Sequence, residues 1–325
     1  MQTTLTAGGR VIDAAPAKFG LLRESTEHAA DADVLRDRLR DDGYVFLRDV
    51  LDKEILLHVQ LLVAEELERR GALDPEGDRS TNLFPARPGM SLYEVADNVS
   101  QIERNVLSHQ PALQAIFDAI FDEAARPLDY SWPRVAGPGR FEPPHSDWVY
   151  LCRGTSRLYS AWVPLMDLPL SHGPLMVLEN SHRDNPYTRC YLQMDADKLG
   201  YFDGARLKHG TLVHGGRYSR RPDRVRDEFG TRWLSTDFRL GDVIIFDPRN
   251  VHTTLDNRSE GYRISIDLRF QPVNDPIDPR FAGPNPVAHS GRGVTIFDQA
   301  KRLYLGVRRH VHQQHSEIRR PAVAR

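Results

Sequence analysis

A chain of 325 residues, 40% hydrophobic and 27% charged, holds enough apolar material for one large domain with a well-buried core. Its 43 basic and 45 acidic side chains leave a formal charge of −2, too little to draw the protein to nucleic acid or an anionic membrane. No apolar run reaches the length of a spanning helix, and the first residues lack the basic-then-apolar order of a secretory signal. Only Cys152 and Cys190 are present, which excludes a disulfide scaffold and fits a reducing cytoplasm.

Residues 1–30 are rich in Gly and Ala, weakly patterned, and read as a partly ordered lead-in. A single domain is expected over 31–285. Val34 to Arg40 reads as a helix closed by Gly43, and Tyr44-Val-Phe-Leu47 as a strand. Asp52 is placed to cap a helix carrying Ile55, Leu56, Val59, Leu62, Val63 and Leu67 on one face, with Gly71 as its stop and Glu65 to Arg70 as a solvated face. Leu73 to Met90, broken by Pro75, Pro85 and Pro88, reads as loop. Pro111 opens a further helix whose stripe Leu113, Ile116, Phe117, Ile120 and Phe121 belongs to the core.

From Tyr130 the pattern becomes short strands separated by Gly and Pro, at 130–136, 145–152, 158–167, 175–178, 241–246 and 262–271. Helices first and strands after them predict a mainly β, α+β fold, an antiparallel double sheet with helical cover. The polar, arginine-rich stretch 183–239 is too long for an ordinary connection; it is either a lid or a solvated insertion. Residues 286–325 read as a C-terminal helix over 296–311 and a basic tail with His310, His312 and His315.

Within the strand region, His145 and Asp147 are two apart, so an extended chain presents both on one face. With a distant His252, just past the apolar run Val243-Ile-Ile-Phe246, they make the two-His-one-carboxylate set that caps one face of non-haem Fe(II). In Tyr262 to Phe270, Arg263, Ser265, Asp267 and Arg269 share one strand face and Ile264, Ile266 and Leu268 the other. A polar row of this kind needs a wet or ligand-filled cavity, or open solvent. Arg263 with Ser265 forms a fork for a carboxylate. Tyr130, Arg134, Tyr150 and Arg269 are candidates to face a substrate, while His172 and His182 read as turn or surface residues.

These motifs together resemble the phytanoyl-CoA dioxygenase-like family of Fe(II)/2-oxoglutarate oxygenases. The shared elements are His145-x-Asp147, Ser160-Ala-Trp-Val-Pro-Leu-Met-Asp167, Gly173-Pro-Leu-Met-Val-Leu-Glu-Asn-Ser-His182, the Gly241 to His252 segment and Arg263-x-Ser265. One departure is Glu179-Asn180, where many relatives have Pro-Gly. The resemblance implies a double-stranded β-helix, the cupin-like jelly roll, which strand spacing alone does not separate from other sandwiches. It also implies Fe(II) on His145, Asp147 and His252, 2-oxoglutarate held through Arg263 and Ser265, O2 as oxidant, and release of succinate and CO2. Trp162 lies on the strand that relatives use to wall the co-substrate pocket, or is a core Trp. Relatives that halogenate lack the carboxylate present here as Asp147, so hydroxylation of a small organic molecule, polar or anionic and including secondary metabolites, is the expected reaction. Desaturation, epimerisation or cyclisation stands beside it. A zinc hydrolase on the same triad gives no reason for the Arg263/Ser265 pair, and a non-catalytic cupin-like binding module is the remaining alternative.

Overall fold

The longest strand, Gly261–Pro272, is buried on both faces. Alternation sorts its side chains: Ile264, Ile266, Leu268 and Phe270 enter the main apolar core, and Arg263, Ser265, Asp267 and Arg269 take the opposite face. The computed structural model describes residues 4–77, 84–87, 106–199, 205–206, 212–213 and 216–286. The expected helix at 296–311 and the histidine tract at 310–315 lie outside these residues.

In chain order the sheet strands are β1 (Phe19–Leu21), β2 (Tyr44–Leu47), β3 (Phe84–Pro85), β4 (Ala125–Pro127), β5 (Trp132–Ala136), β6 (Tyr159–Pro164), β7 (Leu175–Leu178), β8 (Trp233–Ser235), β9 (Val243–Phe246), β10 (His252–Thr254) and β11 (Gly261–Pro272). A larger sheet runs β2–β9–β6–β11–β3, with β4 and β5 also paired to β11. A smaller sheet runs β10–β7–β8–β1. Every pairing described in these two sheets is antiparallel except β8 with β1.

Three helices cover the larger sheet's side of the core: α1 (Ala32–Asp41), α2 (Lys53–Arg69) and α3 (Pro111–Phe121). Asp31 and Asp52 cap the first two by accepting from Val34 N and Glu54 N. Pro111 stands in the first turn of α3, where a missing N–H costs nothing. Phe117 of α3 stacks on Phe270 of β11 at 3.9 Å between centroids, so α3 covers the apolar face of β11 and leaves the polar face to the interior. The end of α2 differs from the expected solvated face. Glu66 is buried and held by Arg69 and Arg70, since the i+3 and i+4 arginines reach back over it.

The smaller sheet explains two further differences from the sequence reading. Leu175-Met-Val-Leu178 is apolar at every position, so both faces of β7 demand cover. Leu175, Val177 and Leu234 join the main core. Met176, Leu178 and Trp233 point the other way, into a second cluster with Ala7, Ile12, Phe19, Tyr191, Tyr218 and Val225. Residues 4–30 are therefore part of the body, with Phe19–Leu21 an edge strand in register with Trp233 to Ser235. Likewise 183–239 is not one insertion: short helices at Pro186–Arg189 and Pro222–Phe229 lie within it, and β8 belongs to the sheet. Among the described residues, no helix is long and apolar enough to cross a membrane.

Candidate metal centre

Strand β10 begins at His252, and one isolated bridge pairs His145 with it. The expected strand at 145–152 is not formed. Pro143 and Pro144 lack the N–H groups a ladder requires. After the bridge, Trp148 N donates to Pro248 O at 2.8 Å and the chain turns into a short helix at Trp148–Leu151. Asp147 has right-handed helical dihedrals, φ −63° and ψ −27°, so it meets His145 through a turn and not through strand alternation.

His145 Nδ1 lies 2.8 Å from Pro143 O, and His252 Nδ1 lies 3.1 Å from Asn250 O. A carbonyl can only accept, so each Nδ1 carries the proton and each Nε2 presents a lone pair. The Nε2 atoms stand 3.8 Å (His145) and 3.7 Å (His252) from Asp147 Oδ1. The three ligand atoms all lie within 4.8 Å of one another, the one such His/Cys/Asp/Glu group among the described residues. All three side chains are buried. Burial, with His252 beside it, pushes the His145 imidazole well below its ordinary range and keeps it a neutral ligand. For Asp147, burial works to raise the carboxyl, but Arg269 above all, with both imidazoles and Ser160, holds it below the usual carboxylate range. Two imidazole nitrogens and one carboxylate are the donor set that suits Fe(II) with open positions.

The triad opens into a cavity whose wall includes Arg134, Glu142, Trp162, Leu175, Phe246 and Arg263. Arg263 Nη1 donates to Gly173 O at 3.0 Å, while its Nε and the Ser265 Oγ are buried with no hydrogen-bond partner. Burial lowers Arg263 to about 10; it stays charged at neutral pH, and a buried charge favours an anion beside it. A carboxylate between Arg263 and Ser265 would satisfy both orphaned groups, and the far end of 2-oxoglutarate is such a carboxylate. Trp162 stands both in the cavity wall and against the core, edge-on to Phe238 at 4.9 Å.

The four substrate candidates separate. Arg134 lines the cavity with its Nε on Asp267 Oδ2 at 2.9 Å. The Tyr150 ring is edge-on to the His145 imidazole at 6.0 Å. Tyr130 is not in the cavity lining; it packs in a cluster with Trp132 and Phe281. Arg269 turns to the metal ligand and not to open space, with Nη2 2.7 Å from Asp147 Oδ2. His182 sits away from the mouth with Nε2 3.1 Å from Arg40 O. Asn180, in place of the relatives' Gly, has φ +61°, a conformation Asn tolerates better than other side chains do.

Several residues carry no role in the sequence reading. Ser160 Oγ donates to Asp147 Oδ2 at 2.7 Å; its spacing from Trp162 places both on one strand face, a signal that was available. Glu142 accepts from Arg217 Nε at 3.0 Å through Oε1, while Oε2 is buried and unpartnered. Its carboxyl is raised by burial, against the pull of Arg217. Tyr191 is fully buried, and its hydroxyl accepts from Ser146 N at 3.0 Å and donates to Gly216 O at 2.6 Å. Tyr218 N donates to Pro144 O at 2.8 Å. Parts of 183–239 are thus bonded directly to the loop that carries His145 and Asp147.

The model of the phytanoyl-CoA dioxygenase family matches residues 39–265. The 1-deoxypentalenic acid 11-beta-hydroxylase of Streptomyces exfoliatus is 27% identical over 258 residues, which span 73% of this chain and 81% of that protein. Among solved structures, the epimerase SnoN in complex with Fe3+, alpha ketoglutarate and nogalamycin RO is 18% identical with a TM-score of 0.51, covering 79% of this chain and 93% of its own. EctD from S. alaskensis, with 2-oxoglutarate and 5-hydroxyectoine, is 18% identical with a TM-score of 0.52, covering 90% and 91%. These likenesses agree with a jelly roll whose two sheets remain open. The chain belongs to the phytanoyl-CoA dioxygenase family and is a non-haem Fe(II)/2-oxoglutarate-dependent dioxygenase.

Proposed function

We propose that this dioxygenase hydroxylates an unactivated C–H bond of a small polar or anionic molecule, of the secondary-metabolite kind. The observation that carries the reading is Arg263, in the wall of the cavity shared with His145, Asp147 and His252, whose Nε is buried without a hydrogen-bond partner, as is the Oγ of Ser265 on the same strand face. Bound together, Fe(II) and 2-oxoglutarate supply an oxidant from O2, with release of succinate and CO2. His145, Asp147 and His252 hold the metal through Nε2, Oδ1 and Nε2. Arg263 and Ser265 would orient the co-substrate by its far carboxylate, Trp162 and Phe246 give the cavity apolar wall that excludes water, and Arg134 and Tyr150 would meet the substrate. Asp147 would supply the carboxylate of a complete two-His-one-carboxylate set. The hydroxylase relative acts, by its name, on a carboxylic acid, which supports an anionic substrate here. Free Cys152 and Cys190 fit action in a reducing cytoplasm.

The test is anaerobic addition of Fe(II) and 2-oxoglutarate, which should give a weak visible charge-transfer band, followed by succinate release across a panel of metabolites. Product mass then reads the reaction. One added oxygen atom marks hydroxylation, loss of two hydrogens marks desaturation or ring closure, and unchanged mass marks epimerisation. The absence of the band in protein with its metal bound would remove the co-substrate role of Arg263 and Ser265.

A further inference from the structure

We propose that Arg269 and Ser160 are positioning residues that hold Asp147 as a one-oxygen metal ligand. The inference rests on the metal-centre reading and concerns the half of the carboxylate that faces away from it. Oδ1 is the oxygen within 3.8 Å of both imidazole Nε2 atoms. Oδ2 takes the Ser160 hydroxyl at 2.7 Å and Arg269 Nη2 at 2.7 Å. A free carboxylate changes from one-oxygen to two-oxygen binding by a small rotation about its Cβ–Cγ bond. Here that rotation breaks a charged and a neutral hydrogen bond in a buried site, where water cannot replace them.

The two partners are themselves fixed. Arg269 of β11 and Ser160 of β6 stand directly opposite each other in the strand register, so both approach Asp147 from rigid backbone. The Arg269 guanidinium lies over the Trp132 ring at 4.9 Å and donates through Nη1 to Leu268 O at 2.9 Å. Asp267 Oδ2 flanks it at 3.7 Å and accepts from Arg134 Nε at 2.9 Å. Asp147, Arg269, Asp267 and Arg134 therefore form a line of alternating charge running from the metal ligand to the cavity wall. With Oδ2 held by Ser160 and Arg269, Asp147 would offer a metal Oδ1 alone and leave more of it open to other ligands.

The test uses full-length protein, with Co(II) as an anaerobic probe and three variants, Arg269→Met, Arg269→Lys and Ser160→Ala. Melting of the metal-free forms checks that each is folded. In Arg269→Met and Ser160→Ala the Co(II) bands should move toward the weaker absorption of higher coordination number, and 2-oxoglutarate should bind the metal-loaded protein about ten-fold more weakly in Arg269→Met. Arg269→Lys should lie nearer the wild type, because it returns the charge without the planar fork. Folded Arg269→Met and Ser160→Ala with the wild-type Co(II) spectrum and wild-type 2-oxoglutarate affinity would overturn the proposal. If Arg269→Met does not fold, Ser160→Ala decides alone, since it removes one hydroxyl, and an unchanged spectrum there is fatal to the idea. A Co(II) spectrum of the wild type that His252→Ala leaves unaltered would sink the metal-centre reading instead.

Discussion

His145 and His252 bind each other's main chain twice, with His145 N to His252 O at 3.0 Å and His252 N to His145 O at 2.8 Å. The spacing of the two imidazoles, 4.2 Å between ring centroids, is thus set by backbone bonds that survive loss of either ring. His145→Ala or His252→Ala should abolish iron-dependent turnover while the fold persists. Metal content, circular dichroism and succinate release check this together; full activity in His252→Ala with normal iron content would take that residue out of the site.

Arg263→Ala should raise the KM for 2-oxoglutarate by roughly 10- to 150-fold, because a hydrogen bond to a charged group contributes about 1.5–3 kcal/mol. Arg263→Lys adds a pH dependence. Burial that lowers the guanidinium to about 10 should also lower an ammonium in the same place, from an ordinary value already lower, ~10.4. The lysine therefore loses its proton, and with it the pair to the carboxylate, at a lower pH than the arginine does. Affinity for 2-oxoglutarate should fall as pH rises in Arg263→Lys before it does in the wild type. An unchanged KM in Arg263→Ala would place the far carboxylate elsewhere.

Gly173 has φ +74°, and a Cβ there would stand 2.7 Å from Leu255 O and 2.8 Å from Asn257 N. Its own carbonyl anchors Arg263. Gly173→Ala should cost about 1–2 kcal/mol from the left-handed backbone, with a further cost from main-chain crowding. It should also weaken 2-oxoglutarate binding by displacing Arg263. Urea denaturation and co-substrate titration read the two effects separately, and an affinity that survives the stability loss would detach Gly173 from the fork.

Tyr191→Phe keeps the ring and removes the hydroxyl that Ser146 N and Gly216 O share. Leaving a buried N–H unpaired costs about 1–3 kcal/mol. Denaturant midpoints of the metal-free protein should fall accordingly, and Fe(II) affinity should weaken because Ser146 lies between the two ligands. A midpoint equal to that of the wild type would mean that the loop holds itself.

That His145, Asp147 and His252 would meet was legible in the sequence, because few residue types bind iron. Arg263 and Ser265 followed from face alternation in a long strand, and the starts of α2 and α3 from Asp52 and Pro111. The route to the site was not legible. Trp148-Val-Tyr-Leu151 has the composition of a strand, yet it forms a helical turn once Trp148 N is taken by Pro248 O, a contact that spacing does not reveal. Phe19–Leu21, Trp233–Ser235 and His252–Thr254 are three-residue strands, too short to show a period, and they exist because β7 needs partners and cover. Alternation assigned Arg269 to the cavity face correctly, but a face does not name a partner, and the partner proved to be Asp147.

Tyr191, through its bonds to Ser146 N and Gly216 O, ties the stretch that follows β7 to the loop between His145 and Asp147. Anyone who transplants this stretch from a relative to change what the protein accepts will also be exchanging a brace of the iron loop. A successful chimera should carry a tyrosine at 191 and a glycine at 216, where any Cβ would collide with Tyr150. Libraries built to vary this stretch should therefore be screened for metal retention.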